Sequence, residues 1–309
     1  MTKENQQESI RQIQSRKEFI ATALKAGAAA TLLLAPAHSF AGWLPLQKEY
    51  TVQDVIDAIL KDMAGTLAAD TVDTLKSGSP EQKVTGIITT MFPTIAIIKE
   101  AIRLKANFIL AHEPSFYNHL DNKQWVAGSD VVQQKTELLS RNNIAIWRAH
   151  DSWHKFKPDG ILYGVVKKAG WLSYNPSGEK VFTIPPVNLK ALIIHLKTKL
   201  GIDHVRVIGN PDATCKKIAL LPGAWGGVEQ VSTLIQDKPD VLIVGELSEW
   251  ETAEYIRDAR LLGQNISLIV LGHAVSEEPG MEWMAEWLKS KLPGLAVTHV
   301  ASYSPFNWV

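Results

Sequence analysis

The chain has 309 residues, 46% hydrophobic and 21% charged, a composition suited to one large folded domain or two smaller ones. Its 32 basic residues balance its 32 acidic ones, so neither a nucleic-acid surface nor an acidic disordered tail is indicated. A single cysteine, Cys215, excludes an intramolecular disulfide and a cysteine-based zinc site.

Residues 1–41 read as an export signal. A polar stretch ends at Arg16-Lys17, and an apolar run of small residues follows from Phe19 to Leu34. Ala35-x-Ala37 and Ser39-x-Ala41 then fit the small-x-small rule for signal cleavage. Ser15-Arg16-Lys17-Glu18-Phe19 resembles a twin-arginine motif with lysine at its second basic position. The run is too short and too rich in Ala and Gly for a stable membrane anchor. The expectation is an exported protein, periplasmic or extracellular.

Thr51–Leu60 has helical spacing, with Val52, Val55, Ile56 and Ile59 on one face and Thr51 as N-cap. A loop runs to Ser77-Gly78-Ser79-Pro80. Val84–Thr90 predicts a strand, the segment after Pro93 a helix, and Asn107–Ala111 a strand ending at His112. That order is a βαβ unit with a parallel strand pair. Val131–Arg141 (helix) and Ile144–Arg148 (strand, ending at His150-Asp151) repeat it. A helix over Ile161–Ala169 stops at Gly170.

Asn175-Pro176-Ser177-Gly178 and Ile184-Pro185-Pro186 predict a break between lobes. The expected organisation is one lobe from 42–174 plus 268–309 and a second from 175–267. In the second, Leu189–Leu200 is helical and His204–Ile208 and Lys217–Leu221 are strands. Pro222-Gly223-Ala224-Trp225-Gly226-Gly227 then leads into a helix ending near Gln236. Asp240–Val244 is a strand, Glu249–Leu262 a helix, and Ser267–Leu271 a strand running into Gly272-His273. A helix from Pro279 to Leu288 and a strand over Ala296–Val300 close the chain. The fold class is α/β, two lobes with mixed sheets flanked by helices.

Three predicted strands end in histidine plus carboxylate. His112-Glu113-Pro114 is one, and Pro114 keeps Glu113 out of helical conformation. His150, Asp151 and His154 form the second. His273 and Glu277, four residues apart, form the third. In open α/β sheets ligands gather at the carboxyl ends of strands. Mixed histidine and carboxylate donors suit Zn, Mn, Fe, Co or Ni. Carboxylates can bridge two ions about 3.5–4 Å apart, which together activate one water. Trp225-Gly226-Gly227 lacks the full dinucleotide or P-loop pattern and reads as a tight strand–helix turn.

Several segments resemble the Nif-three-like dinuclear metal-centre proteins, the GTP cyclohydrolase I type II homologues. Phe108–Pro114 resembles their strand ending in HHP, and Ile144–His154 the strand ending in HTNLD. Leu221–Gly227 is similar to their glycine-rich turn, and Val244-Gly245-Glu246-Leu247 to their TGE or TGD. Gly272–Glu277 resembles their GHxxTE, and Ser304-Pro305-Phe306 their closing PF. The resemblance covers about residues 50–309. It implies the two-lobed fold and a ring-shaped hexamer of this chain. It also implies two divalent ions held by His112, Glu113, His154, His273 and Glu277, with His150 and Asp151 as further candidates.

Two positions depart from the pattern: Glu113 stands for the family's second histidine, and His154 for the aspartate of HTNLD. The exchange is reciprocal and keeps the ligand charge. Asp151 is then an available oxygen ligand. The expected function is metal-dependent hydrolysis of a small-molecule substrate in the cell envelope, with Glu246 or a metal-bound carboxylate as proton relay. The alternative is a non-catalytic metal-binding ring or scaffold.

Overall fold

The computed structural model describes residues 48–309, so the expected export signal lies outside the described residues. The described residues, 48–309, form one compact unit. The chain is α/β, with two five-stranded mixed sheets flanked by helices.

Helix α1 (Val52–Asp62) begins where a capping box closes. Thr51 Oγ1 accepts from the Asp54 amide at 3.1 Å, and Asp54 returns a bond to the Thr51 amide at 2.8 Å. Its buried face is Val52, Val55, Ile56 and Ile59, as the spacing predicts.

The first sheet comprises β1 (Leu75–Ser77), β2 (Ile87–Thr90), β3 (Phe108–Ala111), β4 (Ala145–Arg148) and β10 (Val297–His299). Its order is β1-β4-β3-β2-β10, with β1 antiparallel and the rest parallel. β2, β3 and β4 are buried along their whole length; β3 is apolar throughout, while β2 closes on Thr89-Thr90 and β4 on Arg148. Helices α2 (Ile95–Arg103) and α3 (Asp130–Arg141) connect them. Leu75–Ser77, expected within a loop, pairs with β4 as a three-residue edge. Such a strand is too short to show a sequence period.

The register Thr90, Ala111, Arg148 aligns the carboxyl ends of β2, β3 and β4. Backbone pairing continues past that line, from the His112 amide to Thr90 O and from the Ala149 amide to Ala111 O. The chain then bends into the one-turn helix α4 (Asp151–His154) and helix α5 (Gly160–Lys168).

The second sheet comprises β5 (Val181–Asn188), β6 (Arg206–Ile208), β7 (Thr214–Leu221), β8 (Val241–Val244) and β9 (Ser267–Val270), in the order β5-β7-β8-β9-β6. β7, β8 and β9 are parallel, and the two edges run antiparallel. Ile184-Pro185-Pro186, expected as a break, lies inside β5. An edge strand tolerates prolines, and the pairing with β7 shifts between Thr183 and Val187 around them. Helices α6 (Leu189–Leu200), α7 (Gly227–Asp237) and α8 (Glu254–Leu261) flank this sheet, α8 opening with a π turn at Glu249–Ala253.

Helix α9 (His273–Lys291) starts at His273 rather than Pro279, with Gly272 as its N-cap. Pro279 lies inside it, buried. Packing against α5 sustains the helix where a proline removes one backbone donor. The crossing is close: a Cβ on Gly164 of α5 would stand 2.4 Å from Pro279 O and 2.5 Å from Gly280 Cα. Beside it, buried Trp153 packs on buried Phe156 and on partly buried Trp283 and Trp287. Among the described residues, no helix is long and apolar enough to cross a membrane.

Candidate metal centre

The carboxyl rims of the two sheets meet at the first turn of α9. His112 and Glu113 follow β3, and His150 follows β4. Glu246 follows β8, and His273 follows β9. Glu277, one helical turn beyond His273, faces back toward His112. Its Oε1 lies 3.9 Å from His112 Nε2, and its Oε2 lies 3.1 Å from His273 Nε2.

His112, His150 and His154 form a three-histidine group with one ring nitrogen from each within 4.8 Å of the others. Their centroids lie 4.6 Å (112–150), 5.0 Å (112–154) and 5.0 Å (150–154) apart. In each ring Nδ1 is engaged on the outer side. His112 Nδ1 meets Ala149 O at 3.2 Å, His150 Nδ1 meets Asp151 Oδ1 at 2.9 Å, and His154 Nδ1 meets Asp159 Oδ2 at 2.8 Å. That leaves Nε2 of each as the free donor, the arrangement in which outer acceptors fix the tautomer of a metal-binding imidazole. His112 Nε2 is buried with no hydrogen-bond partner. A buried unsatisfied nitrogen is costly, and a cation would relieve it.

Burial, with His150 and His154 adding to it, holds the His112 imidazole well below its usual pKa. His150 is lowered for the same first reason, burial. Both are therefore neutral near pH 7, the ligand form. Burial also opposes the charged form of His154, but the Asp159 carboxylate outweighs it and raises that pKa.

His112, Glu113 and Glu277 form a second group within the same spacing. Glu113 Oε1 lies 3.1 Å from His273 Nε2, and His273 Nδ1 lies 3.2 Å from Glu246 Oε2. The Glu277 contact to the same Nε2 lacks the alignment of a hydrogen bond, and Glu277 Oε2 is otherwise unpartnered. Burial disfavours an imidazolium at His273, but Glu113, Glu246 and Glu277 overcome it and push its pKa up to about 12. The proton so held on His273 answers the three carboxylates. Donor chemistry in both groups fits divalent cations.

Asp151, expected among the ligands, stands outside both groups. Its Oδ1 orients His150, and its Oδ2 accepts from Thr71 Oγ1 at 2.7 Å. Glu246 also lies outside them, half-exposed and bonded to His273. The carboxylates within the two candidate groups are Glu113 and Glu277.

Several positioning residues escaped the sequence reading. Asp73 accepts the amides of His150, Asp151 and Ser152 and so sets the turn after β4. Asp159 precedes a predicted helix, an N-cap signal. Arg148 is a charge at the end of an apolar strand, which asks for a buried partner. Ser276 Oγ accepts the Gly223 amide at 2.9 Å and donates to His273 O. Gly223 has φ +71°, and a Cβ there would stand 2.2 Å from Glu277 Oε1, so the glycine-rich turn backs this carboxylate directly.

The Duf34/NIF3 (NGG1p interacting factor 3) family model matches residues 50–305, nearly all of the described chain. The chain belongs to the NIF3 family. A GTP cyclohydrolase 1 type 2 homolog from Clostridium perfringens is 25% identical over 257 residues, covering 78% of this chain and 92% of the relative. A homolog of the same name from Chlamydia pneumoniae is 23% identical, covering 75% and 90%. The crystal structure of a Bacillus cereus protein related to NIF3 superposes with a TM-score of 0.67 at 16% identity, covering 85% of this chain and all of the other. That likeness supports the NIF3 fold.

Proposed function

We propose that this NIF3 protein holds divalent cations in the two groups and uses them to hydrolyse a small-molecule substrate. The observation that carries the reading is the set of three inward imidazoles, each tied on its outer nitrogen, facing the buried carboxylate of Glu277. His112, His150 and His154 would hold one ion, with Glu277 Oε1 beside them. Glu113, Glu277 Oε2 and His273 would hold the other. Glu277, whose two oxygens face different histidines, is the bridging candidate. One His112 lone pair cannot serve both ions, and the three-histidine group uses it better, since two further imidazoles converge there.

When bound, such ions polarise a substrate oxygen and lower the pKa of water. The rest falls to the chain. Asp151 and Asp159 hold two imidazoles in register, and the β3 and β4 ends exclude water from behind His112. Half-exposed Glu246, bonded to His273, carries a proton between the site and solvent. The name borne by the curated relatives makes a guanine nucleotide one substrate worth testing beside simple phosphoesters and amides. Export by the N-terminal segment and assembly into a hexamer belong to the same proposal. Their supports are the residue pattern of positions 1–41 and the family resemblance. N-terminal sequencing of the mature protein and native mass spectrometry check them.

The test of activity is turnover of phosphoester, amide and GTP probes by metal-loaded protein, beside His112→Ala and Glu277→Ala. The proposal expects turnover that both substitutions abolish while circular dichroism stays unchanged. Metal bound with no turnover across the panel would favour the non-catalytic scaffold.

A further inference from the structure

The two groups differ in what already balances their charge. The three-imidazole group is backed by two carboxylates, Asp151 behind His150 at 2.9 Å and Asp159 behind His154 at 2.8 Å, and Glu277 Oε1 lies 3.9 Å from His112 Nε2. Glu113, in the other, is claimed on both oxygens. Its Oε2 lies 3.4 Å from Arg148 Nη2 while Oε1 faces His273. Arg148 is fixed in place. Its side chain is 1% exposed, its Nε donates to His112 O at 3.0 Å, and its Nη1 donates to His119 O. Nη1 also lies 3.9 Å from Asp121 Oδ2, which itself stands 3.2 Å from Lys76 Nζ. Lys76, Asp121, Arg148 and Glu113 thus form a chain of alternating sign that ends at the second group. A guanidinium does not deprotonate in a protein, and this one cannot swing away without losing its carbonyl partners. A divalent ion entering beside Glu113 therefore meets a permanent positive charge, largely shielded from water, where repulsion is strong.

Resting on the reading that both groups take cations, we propose that Arg148 makes the two positions unequal. The three-histidine position fills first, and the Glu113–Glu277 position fills only at higher metal concentration. The protein then passes from a one-ion to a two-ion form as metal supply rises. Nitrogen-rich ligation suits zinc, cobalt or nickel at the first position.

The experiment titrates metal-free full-length protein with Zn2+ by calorimetry and with Co2+ by visible absorption. The expected result is two steps separated by about 100-fold or more in affinity, the scale set by repulsion between partly buried charges. Arg148→Met should narrow the gap to about tenfold or less by strengthening the second step, while Arg148→Lys should keep the gap. Asp121→Asn removes a countercharge from Arg148 but keeps an oxygen for the Phe116 amide. It should weaken the second step by about tenfold and spare the first, a readout that survives if Arg148→Met fails to fold. Two steps of equal affinity in the wild type would overturn the proposal, as would a second step that ignores both Arg148→Met and Asp121→Asn. Absence of any binding would instead defeat the metal reading on which it rests.

Discussion

Asp159 Oδ2 lies 2.8 Å from His154 Nδ1, while Oδ1 of the same carboxylate accepts the amides of Ile161 and Leu162. One side chain therefore caps α5 and aims a candidate ligand. The two roles separate by substitution. Asp159→Asn keeps an oxygen for the cap but loses the charge behind His154. It should weaken metal affinity about 10–100-fold with little change in stability. Asp159→Ala should add a loss of about 1 kcal/mol for the cap. Competition with a chromophoric chelator and urea unfolding read the two effects. Unchanged metal affinity in both variants would remove Asp159 from the site.

Gly223 is required twice over, by its left-handed backbone and by Glu277 Oε1 at 2.2 Å from any added Cβ. Gly223→Ala should cost about 1–3 kcal/mol and displace Glu277. Thermal unfolding and metal content should both fall. A variant of wild-type stability and metal content would contradict the packing of this turn against the carboxylate.

The α5–α9 crossing tolerates no side chain at Gly164, where the nearest atoms belong to the α9 backbone. Gly164→Val should destabilise by about 3 kcal/mol or more, since backbone cannot yield as a flexible side chain does. The urea midpoint measures it, and a shift under about 0.5 kcal/mol would refute so close an approach.

Lys135 is buried, and its ammonium donates to Ser115 O at 2.7 Å. Burial is the main cause that lowers its pKa from 10.5 to about 8, against the opposing pull of Asp121. Between those values the unfolded chain keeps a proton that the folded chain has released. Stability attributable to Lys135 therefore rises with pH from about 8 to 10.5, by at most about 1.4 kcal/mol per unit. Below that window the full burial penalty is present. Lys135→Met should abolish this slope in urea unfolding followed across the window. An identical pH profile in wild type and variant would assign the slope elsewhere.

The paired rims were legible because parallel strands buried on both faces leave long apolar runs, and His112, His150 and His273 stand just beyond three of them. Helix α1 was legible to its cap. The roles of Asp151 and His150 were not, because which side chain turns inward depends on Asp73 and Thr71, about eighty residues earlier. The β1 edge is too short for a period, and Pro185-Pro186 look like a break until an edge strand accommodates them. The α9 start was hidden by Pro279, whose helical neighbours are held by tertiary contact with α5. Arg148 shows in sequence only as a charge, and its pairing with Glu113 across the strand ends needs the sheet register.

Metal content decides whether His112 belongs to a cation site. Elemental mass spectrometry on protein purified without chelator, beside a His112→Ala/His273→Ala double variant of intact circular dichroism, tests it most directly. At least one zinc, manganese, iron, cobalt or nickel ion per chain is expected, with a second taken up on metal supplementation and both lost in the variant. A wild-type protein that holds no metal even after supplementation, or a variant that keeps its full complement, would contradict it.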